Sequence, residues 1–259
     1  MKIPLEDLRR EIPKSVESNK VLSLVTYALS DYGEEVLKIL VGSILTRYNR
    51  SDLFDIVYTA AKELVVNATK ANLKRALFQK LNLNIADPDQ YKIGMDYFRG
   101  ALTEEKLRGY KQTFKDFNLP VVATLYYSPD VVHIKVKNNF PLLPVEETRI
   151  RDKFRQATSF TSLLDFFMEH GDDTEGAGLG LTMVGILLDE SGVDRHAFTL
   201  YSSQKYGETV ARLEIPLSPD YVSRRKVFEA ELEEKGVPPD ALRSDFDYNY
   251  KQFTRNRAR

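Results

Sequence analysis

Apolar residues recur at helical spacing through much of the first half of the chain and gather into four short β-rich runs in the second. LEDLRREI, near the start, reads as a short amphipathic helix. Leu22, Val25 and Leu29 are spaced for a second helix from Val21 to about Leu29, capped by Ser18 or Asn19. Val36, Ile39, Leu40, Ile44 and Leu45 mark a third, from Glu34 to about Tyr48. The break at Asp31-Tyr32-Gly33 makes these last two an antiparallel pair. Residues 1–50 are therefore expected to be a helical N-terminal segment and a candidate dimerisation hairpin. A long helical pattern over 51–81 opens on Ser51, a good N-cap with Asp52 in the first turn. Asp87-Pro88 breaks the chain, and residues 90–118 are again helical in composition, so 82–118 reads as a helical insert.

The β-rich runs come in two pairs. PVVATLYY (120–127) and VVHIKVK (131–137) flank a Ser-Pro-Asp turn, and HAFTLYSS (196–203) and ETVARLEIPL (208–217) are joined at Gln204-Lys205-Tyr206-Gly207. Between the pairs, helical patterns cover 147–157 and 160–169, and a glycine cluster, GDDTEGAGLG, leads into the helix LTMVGILLDES. VSRRKVFEAELEEKG reads as a helix ended by Gly236 and Pro238-Pro239, inside a charged C-terminal extension over 218–259. Helices before and between late antiparallel strands predict an α+β layered domain, not a βαβ series.

Composition narrows the class. With 259 residues, 42 % of them hydrophobic, the chain supports one full core plus appendages. A net charge of −1 gives no global signal for nucleic acid or a membrane surface. Basic and aromatic residues alternate near the end (Arg255, Arg257 and Arg259 with Tyr248, Tyr250 and Phe253), a pattern that can grip single strands, but acids at 229–234 and 240–247 offset it. Nucleic acid is not an expected partner. Without cysteine there is no disulfide, thiol nucleophile or cysteine-ligated metal. No apolar run reaches membrane-spanning length, and the opening MKIPLEDLRREIPK lacks the apolar segment of a signal peptide. The expected location is the cytoplasm.

Two motifs carry chemistry. In Glu63-Leu-Val-Val-Asn67-Ala-Thr-Lys70 the acid, the carboxamide and the ammonium fall on one helical face. Such a ridge suits Mg²⁺ and phosphate: Asn offers a neutral oxygen to the metal, the acid orients water and Lys neutralises phosphate. The same spacing also occurs on ordinary solvated helices. The second motif is Glu175-Gly176-Ala177-Gly178-Leu179-Gly180-Leu181, whose alternate glycines leave backbone N–H groups open to an anion at the start of an apolar helix. A dinucleotide fingerprint would need a preceding strand and different spacing, and here the preceding segment is helical. A plain flexible loop is the other alternative.

Together the motifs resemble the GHKL ATPase superfamily of gyrase, the large heat-shock chaperone and the histidine kinases of two-component signal transduction. The histidine-kinase branch is nearest. ELVVNATKA is similar to its N box, IKVKNNFPLLPVEE falls where the first glycine box belongs, RDKF (151–154) resembles the F-box region, and EGAGLGLTMV resembles the second glycine box. The likeness covers 51–217. It implies a Bergerat-type two-layer α/β sandwich, with helices covering a mixed sheet and ATP between the N-box helix and a lid. It further implies Asn67 on Mg²⁺, Glu63 as the base that activates water or an acceptor, and Lys70 on phosphate. Gly176, Gly178 and Gly180 would wrap the phosphates, and Thr209 would support the adenine end.

Departures from that pattern are equally specific. Asn138 stands where the family's adenine-binding Asp would be, and Phe140 and Leu142 stand at the two glycines of the first box. Asn keeps an acceptor oxygen without the charge, while the bulky pair fills space where the backbone approaches the base. Residues 1–50 contain no histidine to act as phosphoacceptor; the chain's three are His133, His170 and His196. Two readings follow. One is a regulatory protein that binds or hydrolyses ATP–Mg²⁺, or phosphorylates a partner protein, with dimerisation through the N-terminal helices. The other is a degenerate, inactive kinase-like module used for partner docking or dimerisation.

Overall fold

The computed structural model describes residues 2–170, 179–239 and 241–242. The order is α1 (Leu5–Glu17), β1 (Leu22–Thr26), α2 (Asp31–Arg47), α3 (Phe54–Lys80), α4 (Pro88–Arg99), α5 (Glu104–Gly109), α6 (Lys111–Asp116), β2 (Val121–Tyr127) and β3 (Val131–Asn138). There follow α7 (Pro144–Ala157), α8 (Leu163–His170), α9 (Leu179–Glu190), β4 (Phe198–Ser203), β5 (Glu208–Pro216) and α10 (Arg224–Lys235). The fold is an α+β sandwich built on a five-stranded sheet ordered β1-β2-β3-β5-β4.

Three expectations are corrected. The segment from Val21 to Leu29 is not a helix: Leu22–Thr26 is an edge strand, antiparallel to β2. Its exposure alternates, with Leu22, Leu24 and Thr26 turned inward and Ser23 and Val25 outward. The spacing of Leu22, Val25 and Leu29 suits a helix, yet the β-branched Val21, Val25 and Thr26 suit a pleated surface, and pairing with β2 decides. Without that helix the expected pairing of Val21–Leu29 with α2 is lost, and α2 packs against α1; Ile12, Val16, Leu22, Leu37 and Ile44 belong to the same core cluster as the sheet. The second correction is the sheet itself, which is antiparallel at every pairing and not mixed, because two hairpins and the β1 edge each reverse direction. Third, Ser51 does not cap α3: a 3-10 turn over Ser51–Leu53 runs straight into the helix, and the Phe54 N–H bonds to the Ser51 carbonyl.

One sheet face is apolar. Leu125, Ile134 and Leu213 are aligned across β2, β3 and β5 and fully buried, and α3 lies against β2, β3 and β5. Val57, Ala60, Ala61, Leu64, Val65 and Ala68 are buried along it, the alanines allowing close approach. At the end of this face the register places Asn138 beside Thr209, and Thr209 beside Ser202. This is the end that faces the candidate site.

The other face is polar. His133 and Glu214 are cross-strand neighbours there, and both are buried together with Arg212. Tyr221 donates to the Glu214 carboxylate, as does the Arg224 N–H at 2.8 Å, so the chain after β5 covers this patch. Burial pushes the His133 imidazole down to about 3, helped by the positive charges of Arg212, Arg224 and Lys135. In the unfolded chain His133 takes up a proton near its ordinary value of 6.5. Below that value the unfolded state binds more protons, so stability falls as pH drops from 6.5 toward 3, by at most about 1.4 kcal/mol per pH unit. Urea titrations of wild type and His133→Gln between pH 5 and 7 should show a steeper slope in the former than in the latter.

The helices α4, α5 and α6 of the insert gather on the C-terminal half of α3. Leu73, Leu77, Phe98, Leu107 and Phe114 form a second core cluster, on which Phe140 also packs. Gly94 is required for the approach of α4, since a Cβ there would overlap the Phe78 ring. The insert thus packs as a unit that reaches Phe140, after β3.

Candidate functional site

Asn67 sits one turn beyond Glu63 on α3, and its Nδ2 donates to Glu63 Oε1 at 2.9 Å. Gly180, in the first turn of α9, lies directly on this pair. A Cβ at Gly180 would overlap the Glu63 carboxylate and stand 2.8 Å from Asn67 Nδ2. Two motifs more than a hundred residues apart in sequence therefore meet at one point. Gly176 and Gly178 lie outside the described residues.

Burial raises the Glu63 carboxyl above its ordinary range, while Lys70, the Asn67 amide and Lys62 pull it back. A carboxylate with raised affinity for protons, next to a carboxamide and an ammonium, can accept a proton from water or a hydroxyl. Lys70 is half-buried and takes part in no ion pair or hydrogen bond among the described residues, although its charge is felt at Glu63. Lys62, by contrast, is paired with Glu34 at 2.8 Å. Among the described residues Lys70, which sequence spacing had marked, is the cation of this ridge without a salt bridge or hydrogen bond.

The other end of the site is filled. Asn138 Nδ2 donates to the Ala68 carbonyl at 2.9 Å and to Asn72 Oδ1 at 2.7 Å, and Asn72 Nδ2 in turn bonds to the Leu119 carbonyl at 2.6 Å. Thr209 Oγ1 donates to the Phe140 carbonyl at 2.8 Å, and the Leu142 N–H donates to Ser202 Oγ at 2.9 Å. Asn138 and Thr209, expected at an adenine site, thus join Ser202 in holding the chain's own 138–142 segment in place.

A buried ion cluster closes this end. Arg75 grips Glu146 with two bonds, 2.9 and 2.7 Å, reaches the Pro141 carbonyl at 3.1 Å, and lies 4.6 Å over the Phe140 ring. Lys74 Nζ joins Glu146 at 2.8 Å, and the Leu143 N–H donates to it at 3.0 Å. Sequence reasoning missed Lys74, Arg75, Asn72 and Glu146. The available signal was Leu-Pro-Val-Glu, a helix-start pattern with an acid at the third helical position; nothing local assigns that acid to two cations on α3.

Two of the three histidines have described side chains. His133 is fully buried within the sheet. His196 lies on a 3-10 turn before β4, with Nδ1 2.8 Å from Asp194 Oδ1. Nothing is described of the His170 side chain.

Fold and site define an α+β sandwich with an acid–amide pair of one helix seated under a glycine of another. No family model matches the sequence, and no solved structure matches it. An uncharacterised protein of Treponema pallidum (strain Nichols) is similar, 28 % identical over 206 residues that cover 80 % of this chain and 40 % of that protein. The chain spans about two fifths of the length of that curated relative. No helix of the described residues is long and apolar enough to cross a membrane.

Proposed function

We propose that this chain is a histidine-kinase-like regulatory protein of signal transduction, which binds ATP–Mg²⁺ where α3 meets α9 and acts on a partner protein. The observation that carries the reading is Gly180 seated on the Glu63–Asn67 pair. In this reading Asn67 would offer oxygen to Mg²⁺, Lys70, which has no salt bridge or hydrogen bond among the described residues, would meet phosphate, and Glu63 would accept a proton. Among the described residues no group of three or more acids and histidines gathers to hold a metal. The ligand would supply the γ-phosphoryl group, and water or a partner's hydroxyl would be its acceptor, since residues 1–50 have no histidine.

The adenine end does not fit in the way the resemblance implies. The Phe140–Arg75–Glu146 packing favours a second reading, a kinase-like docking module that has given up nucleotide. Melting curves separate the two. Ligand at ten times its Kd stabilises the folded state by about 1.4 kcal/mol, or roughly 3–5 °C for a chain of this size. Under the first reading, millimolar ATP–Mg²⁺ raises Tm by that order and Asn67→Ala abolishes the rise. An unchanged Tm at that concentration rejects it in favour of the docking module.

A further inference from the structure

We infer that the cleft between the end of α3 and the insert helices α4, α5 and α6 is a binding site of its own, which takes a small organic anion with a flat aromatic body. It lies on the far half of α3, about 15 Å along the helix from Asn67 to Leu77, and stands independently of the nucleotide reading.

The chain leaves this space open. Leu77, Tyr97, Ala101 and Tyr110 line an open cleft of about 680 Å³. Pockets for small organic ligands run from about 300 to 1,000 Å³. The walls are held from behind: Leu77 and Ala101 are buried in the cluster that contains Phe114, and the Tyr110 ring stacks on Phe114 with centroids 6.2 Å apart. Gly100 and Gly109 keep the flank low. A Cβ at Gly109 would meet nothing within 4 Å, so its backbone borders open space, and a Cβ at Gly100 would meet only the backbone oxygens of Asp96 and Tyr97. Aromatic walls over an apolar floor suit a flat apolar body, which they meet by stacking or edge contact.

Charge selects the sign of the ligand. Lys80 and Lys106 both border the cleft. Lys106 gives one of its N–H donors to the Gly100 carbonyl, at 2.6 Å, and Lys80 Nζ stands 5.8 Å over the Tyr110 ring. Both ammonium groups are thereby placed at the cleft, and neither meets a carboxylate among the described residues. The one acid of the lining, Asp96, is paired with Arg99. A solitary exposed lysine is ordinary, but two cations beside an apolar floor focus their field into the cleft and draw an anion. Their remaining donors can hold carboxylate, sulfonate or phosphate oxygens.

Fluorescence titration of the full chain tests this with two probes. Anilinonaphthalene sulfonate is an aromatic anion, and phenylnaphthylamine is the same ring system without the sulfonate. The inference expects one saturable sulfonate site, bound about tenfold more tightly than the neutral probe because charge-assisted hydrogen bonds are added. Lys80→Gln combined with Lys106→Gln should remove that advantage and leave the Kd of the neutral probe unchanged. Gly109→Phe, whose ring would enter the open cleft, should abolish binding of both probes. Lys115→Gln, on α6 but outside the cleft, should bind as wild type does. Equal affinity for the two probes would overturn the inference, as would sulfonate binding that survives in the cleft variants, or no binding at all. Both lysines are exposed, so the double variant should keep the wild-type Tm and decides the matter even where Gly109→Phe fails to fold.

Discussion

Glu146→Ala is expected to destabilise the protein by about 3–5 kcal/mol, because it leaves two buried cations without their shared counter-ion. The side chains of Lys74, Arg75 and Glu146 are only 14, 15 and 8 % exposed, so solvent cannot replace the lost carboxylate. Burial would by itself raise the Glu146 carboxyl, but the Arg75 fork, Lys74 and the Leu143 N–H outweigh it and hold it near about 2. The sign follows from linkage. A carboxyl whose folded pKa is depressed contributes fully above its unfolded value, near 4.5, and that contribution disappears as pH falls toward 2. Urea unfolding of wild type should therefore steepen in its pH dependence between about pH 5 and 3, and the variant should be flatter there. Replacing Lys74, Arg75 and Glu146 together by methionine should cost far less than Glu146→Ala alone, since no unpaired charge is then left inside. Equal stability of Glu146→Ala and wild type at pH 7 would show that the cluster is not the clamp described.

How much of this was legible beforehand depended on how local each feature is. The hairpins β2–β3 and β4–β5 were readable because β-rich runs and turn residues lie within one short window. The length of α3 was readable from its apolar spacing. The strand β1 was not: its residues also satisfy a helical period, and its partner β2 lies about a hundred residues away, where Ser23 and Thr124 hydroxyls meet at 3.1 Å. The same divide runs through the site. Glu63, Asn67, Lys70 and Gly180 were marked by motif, and the structure brings Gly180 onto the Glu63–Asn67 pair. Phe140 and Leu142 could be flagged as bulky where glycine was expected, but the closure they take part in could not be read. It depends on α7 being drawn to α3 by Glu146, across 71 residues from Arg75. Such a contact belongs to tertiary packing and leaves no periodic trace.

Gly180→Ala should leave the fold nearly as stable as before while removing the response to ATP–Mg²⁺. The added methyl would overlap a carboxylate oxygen at the end of a flexible side chain, so Glu63 would be displaced and α9 could keep its place. Alanine gains up to about 1 kcal/mol over glycine in a helix, which offsets part of the packing disturbance, so Tm should move by only a few degrees. Displacing Glu63 breaks its bond from Asn67 and puts a methyl where its carboxylate lies, and this pair is the feature on which ligand binding is proposed to rest. Gly185→Ala, in the same helix, provides the control. Its methyl would meet only Ala157 Cβ at 3.2 Å, a small adjustment away from Glu63 and Asn67. Gly185→Ala should therefore keep the ligand-induced rise in Tm that Gly180→Ala loses. A full rise in Gly180→Ala would separate Gly180 from ligand binding and leave its contact with Glu63 and Asn67 as helix packing alone.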